Sequence, residues 1–135
     1  MGKTGGFRTL EAWIEARLFR LQVEEVAKTF PSFEQFGLTK QIVNSARSVH
    51  ANIAEGYGRF HYKETTKHCR IARGSLEETL DHLITACDNQ YVTQEKINEM
   101  ELKYDRCHRL LNGYISYIER MDKNKVKKTD KPSDS

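Results

Sequence analysis

The chain has 135 residues, 38% of them hydrophobic and 30% charged, with 2 Pro and 8 Gly; that is one domain's worth of chain, long enough to bury a core and too poor in turn formers for an all-β fold. Three Cys exclude a fully paired disulfide scaffold, no apolar run approaches the roughly 20 residues of a membrane span, and the N-terminal stretch MGKTGGFRTL has no apolar segment of a signal peptide, so a cytoplasmic protein with reduced thiols is expected. The net charge of +3 permits a nucleic-acid partner without demanding one.

Residues 1–8 are Gly-rich and read as a flexible N-terminus, before a bundle domain over residues 9–122. The first helix is predicted from Thr9, as N-cap, to about Thr29. It carries two apolar stripes at helical spacing: Leu10, Ile14, Leu18 and Leu21, and Ala12, Ala16, Phe19, Val23, Val26 and Phe30. At about 100° per residue the stripes lie on nearly opposite sides. A surface helix of a monomer needs only one apolar face, so the second means either a helix central in a larger core or one that also faces another subunit; the latter reading is favoured in a chain this short, and Ala12, Ala16, Phe19, Val23 and Val26 are assigned to a neighbouring subunit.

Phe30-Pro31 ends this helix. Phe33 and Phe36 in the turn that follows are expected to tuck under the bundle end. Helix two is predicted from Thr39, with Leu38 and Val43 at hydrophobic-staple spacing, a core stripe of Ile42, Ala46, Val49 and Ile53, and a stop at Gly56 and Gly58. Helix three, Tyr62 to Asn89, has the stripe Cys69, Ala72, Leu76, Leu80, Leu83 and Cys87; Gly74-Ser75 inside it reads as a close crossing or a bend. Helix four is capped by Thr93 and carries Ile97, Met100, Tyr104, Cys107, Leu111, Tyr114, Ile118 and Met121 at unbroken heptad spacing. Residues 123–135 read as a disordered Lys-rich tail. No segment alternates like a strand, so the fold class is all-α: an antiparallel up-down four-helix bundle.

No catalytic signature is present. The chain has no phosphate-binding Walker loop, no HExxH and no Gly-x-Ser-x-Gly elbow, so it reads as a non-enzyme with no cofactor. The cysteines sit on apolar stripes and read as small core residues. His50, His61, His68, His82 and His108 are scattered, with no zinc spacing and no Glu-x-x-His di-iron pattern, so no metal is expected. The positive signal is electrostatic. Between Arg59 and Arg73 stand five cations (Arg59, Lys63, Lys67, Arg70 and Arg73) against one acid, Glu64. Most are three or four apart and share a helix face, which suits phosphate neutralisation, with His61, Tyr62 and His68 nearby for stacking. A plain solvated face is the competing reading.

From Phe30 to Ser75 the pattern is that of a known family. Phe30-Pro31, Glu34, Phe36-Gly37-Leu38, Gln41, Ala46, Ser48, Asn52-Ile53-Ala54-Glu55-Gly56, Gly58-Arg59, Lys63-Glu64, Ile71-Ala72 and Gly74-Ser75 resemble the four-helix-bundle proteins encoded in 23S rRNA intervening sequences, also labelled an S23 ribosomal protein family. The resemblance implies a homopentameric ring and no enzyme activity. The fold is also similar to the accessory proteins of diversity-generating retroelements, basic pentameric barrels proposed to bind nucleic acid and a reverse transcriptase. RNA is the nucleic acid it suggests, with DNA open. In Asn52–Arg59, Glu55 and Arg59 are spaced for an i, i+4 pair and the glycines for a turn. The chain departs from the family at Val43-Asn44-Ser45, where a basic pair usually stands, leaving Arg47 as the only nearby cation. The expected function is a non-enzymatic, nucleic-acid-binding homo-oligomer acting through Arg59, Lys63, Lys67, Arg70 and Arg73, with Arg47; the alternative is an assembly scaffold for a protein partner. No membrane role is expected.

Overall fold

The computed structural model describes residues 5–59 and 61–130, with side chains as far as 125. Four helices carry it: α1 (Glu11–Ala27), α2 (Leu38–Tyr57), α3 (Tyr62–Asp88) and α4 (Gln94–Asp130). Two 3-10 turns, Gly6–Thr9 and Ser32–Glu34, precede α1 and α2, and no strand occurs among the described residues. Each helix packs on the next in chain order and α4 closes back on α1, so α1 and α3 lie diagonally across the bundle.

The helix ends have local causes, some unlike those expected. Gly5 and Gly6 take positive φ (100° and 50°), which only glycine adopts freely. The turn they start draws in Thr9, whose hydroxyl donates back to the Gly6 carbonyl at 2.8 Å and is not the cap of α1; that place falls to Leu10. Thr39 likewise does not cap α2. The Glu34 carboxylate does so from the preceding turn, accepting the Leu38 N–H at 3.1 Å. Thr93 does cap α4, accepting the Lys96 N–H at 3.1 Å. The end of α3 is a Schellman closure: the Gln90 N–H donates to Cys87 O and the Tyr91 N–H to Ala86 O, with Gln90 left-handed at φ 64°.

The core takes its largest fully buried side chains from all four helices: Phe19 and Val23, Ile42, Val49 and Ile53, Leu76 and Leu83, Ile97, Met100 and Leu111. This corrects the assignment on α1. Ala12, Ala16, Phe19, Val23 and Val26 are buried within their own chain, not offered to a neighbour. The exposed stripe is the other one, with Ile14, Leu18 and Leu21 at 39%, 38% and 40%.

Four further expectations change. Phe33 and Phe36 are 78% and 83% exposed and do not tuck under the bundle. Gly74 faces open space, with nothing within 4 Å of where a Cβ would stand, so it marks no crossing. On α3, Thr79 and Ala86 are buried where Leu80 and Cys87 were expected. Helix α4 continues to Asp130, so residues 123–130 are helical and not a disordered tail. Lysine is a good helix former, and no proline intervenes before Pro132. Residues 1–4 and 131–135, the rest of the expected flexible ends, lie outside the described residues.

Candidate nucleic-acid interface

The Asn52–Arg59 motif sits where α2 meets α3, and most of it is architecture. Down this seam Ser45 Oγ and Thr79 Oγ1 share a buried hydrogen bond of 2.8 Å, and Ser75 Oγ donates to Ser48 Oγ at 2.9 Å. Asn52 donates to the Ser48 carbonyl at 2.9 Å, and its Oδ1 lies 3.3 Å from His68 Nδ1. Thr65 Oγ1 donates to the Gly56 carbonyl at 2.8 Å. Gly56 is glycine because of closeness: a Cβ there would stand 3.0 Å from both the Thr65 carbonyl oxygen and His68 Cβ. Gly58 needs no such freedom, since its φ of −76° suits any residue. Glu55 and Arg59 form the expected i, i+4 ion pair on the surface.

Beyond this turn the cations of α3 emerge. Lys63, Lys67 and Arg70 are exposed and lie within about 60° on the helix wheel. Arg70 Nη2 pairs with Glu119 on α4 at 3.2 Å. Arg73 is half-buried and donates to Asn112 Oδ1 at 2.8 Å. Lys63 and Lys67 form no ion pair among the described residues. Arg47 is not brought to this group. It pairs with Glu24 at 2.9 Å across the α1–α2 seam, which fixes it on a different side of α2 from the helix-three contacts. Of the expected stacking residues, His68 is engaged with Asn52, and the Tyr62 ring lies under Lys125 Nζ at 5.9 Å from its centroid.

The continuation of α4 past residue 122, where the sequence reading ends this helix, sets the lysines of the expected tail on a helix beside these cations. A cleft of about 370 Å³ between α3 and α4 is lined by Lys63, Thr66, Arg70, Glu119, Asp122 and Lys123. Arg120 and Lys125 stand on the same last turns of α4. The signal was available: Lys123 onward holds no helix breaker until Pro132. The other half of α3 has the opposite charge, since residues 74–88 contain Glu77, Glu78, Asp81 and Asp88 and no Lys or Arg. Charge is therefore graded along the bundle, with cations gathered where α2 ends, α3 begins and α4 runs out.

Burial pushes the Cys69 thiol up to about 11 and the Cys107 thiol up to about 12, so both stay protonated and inert. No cluster of three metal-ligating side chains occurs among the described residues, and no described helix is long and apolar enough to cross a membrane.

The model of the family described as 23S rRNA-intervening sequence protein matches residues 8–113. The solved structure of a protein of unknown function from the S23 ribosomal protein family of Bacteroides thetaiotaomicron is similar in fold, with a TM-score of 0.71 at 22% identity over 77% of this chain and 97% of that one. No curated protein matches.

Proposed function

The chain belongs to the 23S rRNA-intervening sequence protein family, and from that premise we propose that it is a non-enzymatic nucleic-acid-binding protein of the cytoplasm, with RNA as its ligand, working as a homo-oligomer. The observation that carries this reading is the segregation of charge along α3, from four cations and one acid over residues 62–73, with Arg59 just before them, to four acids and no Lys or Arg over residues 74–88. A surface made only for solubility has no reason to sort its charges. Binding would proceed by phosphate neutralisation, tolerant of sequence, through Lys63 and Lys67, with Arg59, Arg70 and Arg73 exchanging their present partners for phosphate.

Self-association has separate support. Ile14, Leu18 and Leu21 form an apolar stripe on the outer side of α1, and such a stripe marks an interface more often than an idle surface. A homopentameric ring of antiparallel up-down bundles is the assembly the resemblance implies. The antiparallel order is supported by contacts whose numbers rise on one helix as they fall on the next: Ser45 with Thr79, Ser48 with Ser75, Asn52 with His68.

A mobility-shift titration at two salt concentrations tests the reading. Binding should be present at low salt and fall steeply as salt rises. The triple variant Lys63→Glu, Lys67→Glu, Arg70→Glu should abolish the shift while leaving the circular-dichroism spectrum unchanged, because the lost Arg70–Glu119 pair is exposed and worth at most about 1 kcal/mol. No binding by the native protein at low salt would refute the reading. The alternative, an assembly scaffold for a protein partner, draws on the exposed rings of Phe33 and Phe36. A partner retained from lysate after nuclease treatment, and released by Phe36→Ala, would favour it.

A further inference from the structure

Arg73 stands where the two halves of α3 meet, the last Lys or Arg of the helix before its acids begin at Glu77. Lys63 and Lys67 are exposed, but Arg73 is half-buried in the seam between α3 and α4, where its Nη1 donates to Asn112 Oδ1 at 2.8 Å. The seam continues one turn further along each helix. Asn112 Nδ2 lies 3.2 Å from His108 Nδ1, and His108 Nε2 faces Glu77 Oε1 at 3.4 Å. Tyr104 closes the row, lying beside the His108 ring and donating to the same Glu77 oxygen. Burial first, and then the bond to Glu77, raise the Tyr104 pKa, so this phenol keeps its proton.

The row fixes where the protons stand. A guanidinium has donors only, so the Asn112 atom that meets Arg73 must be the carbonyl oxygen. The amide NH2 is then the group that meets His108, and it can only donate. Nδ1 of His108 is therefore the bare, accepting nitrogen, and the ring proton sits on Nε2, towards the Glu77 carboxylate. In this state the imidazole is neutral and orients Asn112, and Asn112 in turn holds Arg73.

A second proton breaks that order. A charged imidazole carries hydrogen on both nitrogens, so Nδ1–H would meet the Asn112 NH2, donor against donor. The clash is relieved when the amide turns over and offers its oxygen to the ring, but its NH2 then faces Arg73 and the Arg73 bond is lost. Around the ring, Glu77 of α3 favours the charged form and Arg73 opposes it; on α4 itself Tyr104 is neutral, and Asp105 and Arg109 flank the residue in sequence. On its other side α4 packs on α1, where Glu15 is held by Lys103 and Arg106. We propose that His108 is a proton switch on the binding ridge: neutral, it keeps Arg73 held through Asn112; charged, it releases Arg73 to a phosphate. This rests on the nucleic-acid reading above and adds its regulation. By linkage, a phosphate bound to Arg73 favours proton uptake at His108 to the same degree.

Two measurements test the switch, the first without nucleic acid. NMR of the isotope-labelled full chain at about pH 8 should show the His108 proton on Nε2, and on lowering the pH to about 5.5 the Asn112 NH2 signals should move with the midpoint of His108 itself. A proton on Nδ1 at the higher pH, or Asn112 signals that ignore the His108 titration, would overturn the inference and leave the charge reading standing. The second is an anisotropy titration of fluorescently labelled oligo-uridine RNA across a range of salt at both pH values. Freeing one cation adds one phosphate contact, which steepens the slope of log affinity against log salt by about 0.7 for a single strand. Asn112→Ala, with nothing to hold Arg73, should show that steeper slope already at the higher pH. Its change on acidification then registers only the direct charge of the histidines, and the native slope should steepen by about 0.7 more than that. Asn112→Asp, which pairs with Arg73 in either state, should keep the shallower slope at the higher pH. Equal pH responses in the native chain and Asn112→Ala would overturn the switch alone; a native chain that binds no RNA at low salt would overturn the charge reading and the switch with it.

Discussion

Two glycines on the α2–α3 hairpin should respond oppositely to the same methyl group. At Gly56 a Cβ would stand 3.0 Å from the Thr65 carbonyl oxygen and 3.4 Å from Thr65 Cα, both backbone atoms of α3. Backbone cannot rotate away as a side-chain tip can, and here it is held further by the Thr65 hydroxyl bond to the Gly56 carbonyl. Gly56→Ala therefore pushes α3 outward. Overpacking of this kind costs about 1–3 kcal/mol, and the better helix propensity of alanine returns at most about 1 kcal/mol, leaving a net loss of roughly 1–2 kcal/mol. At Gly74, in the middle of α3 with open space around it, alanine brings only the propensity gain, about 0.5–1 kcal/mol. For a chain of this length 1 kcal/mol moves Tm by roughly 3–5 °C. Thermal melts followed by circular dichroism at one fixed protein concentration should show Gly56→Ala lower by about 5 °C and Gly74→Ala higher by about 3 °C. The sites share no partner, so the double variant should lie near the sum. A Gly56→Ala variant as stable as the native chain would refute the close approach, and with it the architectural account of the Asn52–Gly56 motif.

The remaining expectations concern assembly, pH and a helix end. Leu18→Ser with Leu21→Ser should shift the protein towards monomer in light scattering with its helix content intact, whereas Phe19→Ala, one residue away but in the core, should cost about 3–5 kcal/mol of stability; loss of fold in the first variant would disprove the assignment of faces. His50 lies in a half-buried site where its Nε2 accepts from Arg20 Nε at 3.2 Å, beside Trp13 and facing Arg17, Glu24 and Arg47. Burial first, then the charges of Arg20 and Arg17, hold its pKa below the usual imidazole value. The fold thus keeps it neutral, so stability is complete above the unfolded-state pKa of about 6.5 and is lost as pH falls below it. Urea midpoints should drop between about pH 7 and 5.5 in the native chain and stay flatter in His50→Gln, a window above the one in which Glu15 and Glu24, whose pKa values are lowered by hydrogen bonds from Arg106 and Arg47, begin to titrate. Gln90→Gly should raise Tm, because the left-handed φ of 64° at this position costs a side-chain-bearing residue about 1 kcal/mol; an unchanged or lower Tm would contradict that.

The helices were legible because each carries at least one stripe at helical spacing. What periodicity could not decide was which of two stripes on α1 faced inward. Both have the right spacing, and the outer one is made wholly of Leu and Ile. The inner stripe, from Ala12 to Val26, is buried because α2 and α4 pack on that side of α1. That packing is a property of the partners and leaves no trace in local pattern. Caps misled for a related reason, since the Thr9 hydroxyl has a nearer carbonyl to bond, and the group that caps α2, Glu34, lies in the turn before the helix and not at the capping position itself. In the candidate site the cations of α3 and the Glu55–Arg59 pair were legible because they are local. The partners of Arg70 and Arg73, Glu119 and Asn112, come from 49 and 39 residues away, and no spacing rule reaches that far.

The apolar stripe and the cationic ridge occupy different helices, and their separation bears on how the two proposed properties combine. Ile14, Leu18 and Leu21 project from α1, the ridge of Lys63, Lys67 and Arg70 from α3, and these helices are diagonal in the bundle. Association through α1 therefore leaves the ridge of each copy open. One subunit alone has few unpaired cations on this ridge, because Arg59, Arg70 and Arg73 already have partners, and so few contacts would bind weakly in physiological salt. Joining copies makes each later contact intramolecular and raises avidity without adding a residue to the site. The order of effects follows from this. Disrupting the stripe should weaken binding to a long strand that spans several subunits and leave binding to a short oligonucleotide unaffected, while reversing the ridge charges should abolish both. Equal loss on long and short strands after disruption of the stripe would mean that α1 forms part of the binding surface itself, and the division between an assembling face and a binding face would have to be given up.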